Sequence, residues 1–161
     1  MAYRNKVYTI FDADTDMKWY ALLKAWDENE KFEFEFNNAH DLNNIRVYTE
    51  DNIKRNLRNR MNNTKVALLL VGEKTKNLNK FVRWEMEIAL DKSIPIIAIN
   101  LNKTNGVDEE LCPPIVRDAT VVHVPFKQDA IVHALKNWPD YYHETAKKKT
   151  GSRYYYKQFN Q

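Results

Sequence analysis

Along the chain, short apolar runs rich in β-branched and aromatic residues alternate with stretches whose apolar positions recur every three to four residues. That rhythm marks a parallel sheet flanked by helices, because each strand must be carried back to the same end of the sheet before the next can begin. The pattern predicts strands over residues 6–11, 31–36, 66–71, 94–100 and 120–124. In the second, Phe32, Phe34 and Phe36 alternate with Glu33 and Glu35, so one face is wet, as on an edge strand. The third, VALLLV closed by Gly72, is apolar without interruption and reads as a central strand buried on both faces. Pro95 is tolerable in the fourth because it lies at the start.

Between these runs, Trp19, Leu22, Leu23 and Trp26 stand at helical spacing. A second helix is expected over residues 49–62, its acids Glu50 and Asp51 ahead of Lys54, Arg55, Arg58 and Arg60, which suits the helix dipole. A third is expected over 79–92, and a fourth from 128 until Pro139 stops it. The expected fold is α/β and flavodoxin-like: a three-layer sandwich around a five-stranded parallel sheet of order 2-1-3-4-5. Residues 1–139 form the domain, and 140–161 form an aromatic tail without pattern. Tyr141, Tyr142, Tyr154, Tyr155 and Tyr156 are too many aromatics for open solvent, so the tail is expected to pack on the domain or on a neighbouring subunit.

Composition narrows the function classes. In 161 residues, hydrophobic side chains make up 43% and charged ones 29%, the balance of an ordinary globular protein. The formal net charge of +3 is too slight to argue for a polyanionic partner. The stripe Arg153, Tyr154, Tyr155, Tyr156, Lys157 has the residue types that grip nucleic acid, but a packed or solvated tail is the stronger reading. One cysteine, Cys112, allows no internal disulfide, and beside Pro113 and Pro114 it reads as a bystander thiol. The start, MAYRNKVYTIF, lacks the apolar run of a signal peptide, and no segment reaches membrane-spanning length, so a cytoplasmic location without membrane contact is expected.

In such sheets, ligands bind outside the strand C-termini, at the switch between the first and third strands. Three segments converge there by topology: FDAD at residues 11–14, the polar loop over 37–50, and the third helix with Arg83, Trp84, Glu85 and Glu87. Phe11, Asp12, Asp14, His40, Asp41, Asn43 and Trp84 are candidate substrate contacts by that position alone. DADTD at 12–16 invites comparison with the paired aspartates of a haloacid-dehalogenase phosphatase. That site also needs a Ser or Thr closing a later strand and a further acidic pair for magnesium, and neither is present. A phospho-receiver domain would need an aspartate closing the third strand, where Val71 and Gly72 stand. Asp14 or Thr15 as a helix N-cap is the plainest reading. The 4 histidines, His40, His123, His133 and His143, lack metal-ligand spacing, and with 3 glycines no Gly-rich phosphate loop can be built. No metal or resident cofactor is expected.

FVRWEMEIAL puts Phe81, Trp84 or Glu85, Ile88 and Ala89 on the inward sector, with Arg83, Glu87 and Asp91 elsewhere. An inward Glu is unusual unless it is paired or functional. On periodicity alone, a Glu85 that is partly exposed, or neutralised by a neighbour such as Arg83, is the stronger reading.

The segments VYTIFD, FEFEFNNAHDLNNIR, IKRNLRNRMNNTKVALLLVGEKTK, KFVRWEMEIAL and IPIIAINLN, in that order, resemble the TIR-like family, and most of all its branch in bacterial Thoeris anti-phage defence. The likeness is close over residues 3–101 and looser beyond. Phe81, Glu85, Met86, Ala89 and Leu90 match the family's pattern of an aromatic residue, a short gap, a catalytic Glu and an Ala-Leu pair, so the resemblance places the catalytic role on Glu85. AHDLNNIR replaces the usual Arg-Asp-x-x-Pro-Gly of classical TIR domains, so their activation contacts do not transfer to this loop. The resemblance implies cleavage of NAD, as substrate rather than cofactor, at the nicotinamide–ribose bond. It also implies a phage-derived trigger, assembly into a homo-oligomer, and a small ADP-ribose-type product, often cyclic, that activates a partner effector. The rival from another class is a non-catalytic TIR-like module that only assembles with partners.

Overall fold

Val66–Val71, the most apolar run in the chain, is buried at every position because it lies inside the sheet with helices over both faces. The structure, a computed structural model, describes residues 6–26, 33–36, 49–78, 81–148 and 153–159. In chain order the elements are β1 (Lys6–Ile10), α1 (Met17–Trp26), β2 (Glu33–Phe36), α2 (Glu50–Arg60), β3 (Val66–Val71), α3 (Phe81–Asp91), β4 (Ile96–Asn100), the single turn α4 (Pro114–Arg117), β5 (Val121–Pro125), α5 (Gln128–Glu144) and β6 (Arg153–Tyr154).

The sheet order is β2-β1-β3-β4-β5-β6 and every pairing is parallel. The expected order 2-1-3-4-5 is therefore present, with β2 at one edge. The expectation of five strands is corrected by β6, a two-residue strand that pairs Val121 with Arg153 and Val122 with Tyr154. So short a strand inside a run of tyrosines leaves no period-two signal to read.

Alternation along the strands sorts the core into two clusters. Val7, Leu68, Leu70, Ile97, Ile99, Val122 and Val124 face α1 and α5, while Tyr8, Ile10, Ala67, Leu69, Ile96 and Ala98 face α2, α3 and α4. Each fully buried Leu or Ile contributes roughly 1.5–3 kcal/mol. In α1, Tyr20 and Leu23 are buried, whereas Leu22, expected on the packed face, is 41% exposed. Helix α2 starts at Thr49, whose side chain accepts the Asn52 N–H at 3.2 Å, with Glu50 and Asp51 in its first turn and Arg58 and Arg60 in its last.

Pro139 does not stop the fourth long helix: α5 runs through it to Glu144, so the boundary expected at 139/140 falls inside a helix. The proline removes one backbone hydrogen bond, but Trp138 before it is buried and Tyr142 after it packs on the same cluster, which holds the last turns against the sheet. Pro95 lies just outside β4, and its carbonyl accepts the Ala67 N–H at 2.9 Å.

Candidate functional site

Two sharp turns build the rim at the ends of β1 and β3. After β1, the Asp12 carboxylate accepts the Asp14 N–H at 3.1 Å and the Thr15 hydroxyl, closing a tight turn ahead of α1. Asp12 is thus the organiser of this turn. Neither Asp14 nor Thr15 is the residue before the helix, as the N-cap reading required; Asp16 holds that place. After β3, the Thr75 hydroxyl accepts the Gly72 N–H at 2.9 Å and donates to the Leu70 carbonyl at 3.2 Å, folding the chain back toward α3.

These turns meet at Gly72. A Cβ there would collide with Asp16 Oδ2, so the closest approach of the two loops depends on the missing side chain. Asp16 is buried, and that burial, followed by the neighbouring Asp12 carboxylate, raises its pKa above the ordinary aspartate value.

Glu85 lies one turn inside α3 and only 4% of it is exposed. The Tyr8 hydroxyl of β1 donates to Glu85 Oε2 at 2.6 Å. Burial pushes the carboxyl up to about 8, against the opposing pull of the Tyr8 hydrogen bond and the more distant Arg60 charge. At neutral pH the folded state therefore holds Glu85 mostly as the neutral acid. The expectation of a partly exposed Glu85, or one neutralised by Arg83, is corrected: Arg83 Nε pairs with Glu87 Oε1 at 2.7 Å on the exposed face. Trp84, beside Glu85, is buried with Phe81 at 5.7 Å edge-on and the Lys54 ammonium 5.1 Å from its ring. It floors a groove of about 630 Å³ between α2 and α3, with Lys54, Arg58, Glu87 and Asp91 along the sides.

Only some of the sequence-derived candidates come together. Trp84 and Glu85 share the α2/α3 side of the sheet. Phe11 packs on the other side, its ring stacked on Tyr20 at 5.1 Å, so it belongs to the α1/α5 core. Asp12 and Asp14 occupy the β1 turn, the first buried and the second exposed. His40, Asp41 and Asn43 lie outside the described residues. Sequence reasoning missed Tyr8 and Thr75. Alternation in KVYTI places Tyr8 opposite Val7 and Thr9, but which helix would supply its partner is decided only by packing.

Elsewhere, Cys112 is buried and its pKa is pushed up to about 12 by that burial, so the reactive thiolate is absent at neutral pH. No group of three or more His, Cys, Asp or Glu among the described residues could hold a metal ion. No helix among them is long and apolar enough to cross a membrane. Compared with known families, residues 8–106 match the model described as Thoeris protein ThsB, TIR-like domain.

Proposed function

The chain belongs to the family of Thoeris ThsB TIR-like domains, a defence-related TIR group, and from that premise we propose that it cleaves NAD at the nicotinamide–ribose bond with Glu85 as the catalytic carboxylate. The observation that carries this reading is the Glu85–Tyr8 pair: a carboxyl held in a dry site by one short hydrogen bond, on the helix that follows the central strand.

The chemistry asks little else of the protein. As the C1′–N1 bond breaks, its electron pair returns to the nicotinamide ring, which leaves neutral and needs no general acid. The positive charge left on the ribose is what a preorganised carboxylate stabilises, most strongly where water is excluded. Water, or the molecule's own ADP-ribose portion, then closes the ribose C1′ and releases a proton. With its pKa raised to about 8, Glu85 is mostly protonated at neutral pH; activation therefore means ionising it, and the cationic nicotinamide ring of bound NAD favours that ionisation. Trp84, Asp12, Asp14, His40, Asp41 and Asn43 are the proposed substrate contacts; Phe11, stacked on Tyr20 in the α1/α5 core, is left out of that set. A phage-derived trigger and homo-oligomeric assembly complete the site, and the ADP-ribose-type product activates a partner effector.

Nicotinamide release in phage-infected lysate tests this reading. Glu85→Gln should lower it roughly 10²–10³-fold, whereas Glu87→Gln, on the exposed face, should leave it unchanged. Because the ionised form acts, kcat/KM should rise with pH toward a plateau above the Glu85 pKa of about 8. Tyr8→Phe removes a hydrogen bond that favours the charged form, so its profile should move to higher pH. The burial of Glu85 favours one other reading, a TIR-like assembly module in which the carboxyl is structural. Equal nicotinamide release from wild type and Glu85→Gln would refute the catalytic role of Glu85, and release at background level from both would establish the assembly module instead.

A further inference from the structure

Where the turns after β1 and β3 interlock, one charged group has no part in the chemistry assigned to Glu85. Asp16 is 6% exposed, yet its carboxylate makes no hydrogen bond or ion pair among the described residues. Carboxylates this buried are ordinarily paired. Its oxygens still reach the surface, unlike the Thr9 hydroxyl and the His123 ring nitrogens, which are sealed without a partner. The surrounding turns supply no donor. Asp12 commits its carboxylate to the Asp14 N–H and the Thr15 hydroxyl, and Gly72, on which Asp16 packs, gives its N–H to Thr75. Lys18 lies over the Trp19 ring, 5.2 Å from its centre. The Asp12 and Glu73 charges act on Asp16 together with its burial, and raise its pKa against the pull of Lys18. The rim therefore carries negative charge that the chain around it does not neutralise.

We propose that Asp16 is the subsite for the positively charged nicotinamide ring, a role that rests on the NAD reading above and makes the site select oxidised NAD over NADH, whose ring is neutral. Parallel sheets bind ligands outside the strand C-termini where the strand order reverses, which here is the junction of β1 and β3 that Asp16 and Gly72 close. A neutral donor would hydrogen-bond Asp16 but leave the repulsion from Asp12 and Glu73 in place, whereas a cation relieves both. A metal ion is disfavoured, because no group of three or more His, Cys, Asp or Glu among the described residues could hold one. A delocalised, weakly hydrated cation also enters a nearly dry site at lower cost than a compact ammonium does. The ring loses its charge as the C1′–N1 bond breaks, so Asp16 holds the substrate more strongly than the transition state. It acts in binding and selection and leaves bond cleavage to Glu85.

Calorimetric titration of the full chain with NAD and with NADH tests this role in wild type, Asp16→Asn and Glu73→Gln. Asparagine keeps the side-chain size and suits the position before a helix, so α1 keeps its start. Wild type should bind NAD about tenfold more tightly than NADH, and Asp16→Asn should lose most of that preference while its NADH affinity holds. In turnover, Asp16→Asn should raise KM for NAD without lowering kcat. Equal affinity of wild type for the two forms overturns the assignment, as does an unchanged preference in Asp16→Asn. An equal loss in Glu73→Gln overturns it too, because the selection would then belong to the general charge of the rim. A lower melting temperature of Asp16→Asn, with both affinities reduced alike, would make Asp16 structural instead. Binding and nicotinamide release are read separately. An Asp16-dependent preference without release keeps the subsite and removes the cleavage reading, whereas release with the preference unchanged in Asp16→Asn removes the subsite alone.

Discussion

His123 and Glu85 are both buried, and the two groups respond to pH in opposite directions. Burial, aided by the Arg153 charge, pushes His123 down to about 4 from 6.5, so the folded state holds it neutral. Its contribution to stability is complete above pH 6.5 and is lost as pH falls toward 4, by up to about 3 kcal/mol. Neither ring nitrogen has a partner among the described residues, so His123→Leu should flatten this acid limb at little cost near neutrality. Glu85 is raised from 4.5 to about 8, so its contribution is complete below pH 4.5 and is lost as pH rises through 8, on the order of 5 kcal/mol. Denaturant unfolding of Glu85→Gln should show no alkaline loss over that window and a gain over wild type at pH 8. A Glu85→Gln protein that unfolds more readily at pH 8 would show that the carboxylate itself stabilises the fold. At Gly72, an added methyl meets the Asp16 carboxylate, so Gly72→Ala should cost about 1–3 kcal/mol. Gly72→Ala in an Asp16→Ala background should cost clearly less; additive losses would mean that the clash is with backbone instead.

Among the elements, α5 and β6 depend on each other. Pro139 sits in the interior of α5, where it forfeits one backbone hydrogen bond, and the packing of Trp138 and Tyr142 compensates. Pro139→Ala should therefore raise stability by about 1–2 kcal/mol, allowing for the looser unfolded chain that alanine brings. Thermal melting with an unchanged or lower midpoint would mean that the proline ring packs usefully where it is. Removing residues 148–161 deletes β6, uncovers the edge of β5 and takes Tyr154 off Trp138. The expected result is a lower melting temperature, by about 2–4 °C for each kcal/mol lost, with a tendency to associate through the bared strand edge. Unchanged melting and elution would make the tail an idle extension.

At the scale of the whole molecule, the parallel sheet brings separate loops to one end, and the turns after β1 and β3 interlock there through Asp16, Gly72 and Thr75. Glu85 sits beneath that rim on the α2/α3 side, with Tyr8 as its direct partner. The aromatic cluster of Trp138, Tyr141 and Tyr154 lies at the far edge of the sheet, where α5 meets β6.

Much of this was legible in the chain. The strand and helix order followed from periodicity, because burial on one or both faces dictates where apolar residues recur. VALLLV identified the central strand, and alternation in FEFEF identified an edge. The helical phase of FVRWEMEIAL left the inward place to Trp84 or Glu85 and favoured a partly exposed or neutralised Glu85, and only the family match in the residues around it pointed to that carboxylate. What only the tertiary structure decided was partnership. Tyr8 meets Glu85 across 77 positions of sequence, Arg83 turns away to Glu87, and Phe11 packs on the opposite side from the carboxyl it was grouped with. Pro139 stays helical and Tyr154 becomes a strand because long-range packing outweighs a local preference of a few kcal/mol. Local rules set the elements, whereas contacts between distant residues set the ionisation of Glu85, since burial and its partners exist only once the sheet and α3 have closed around it.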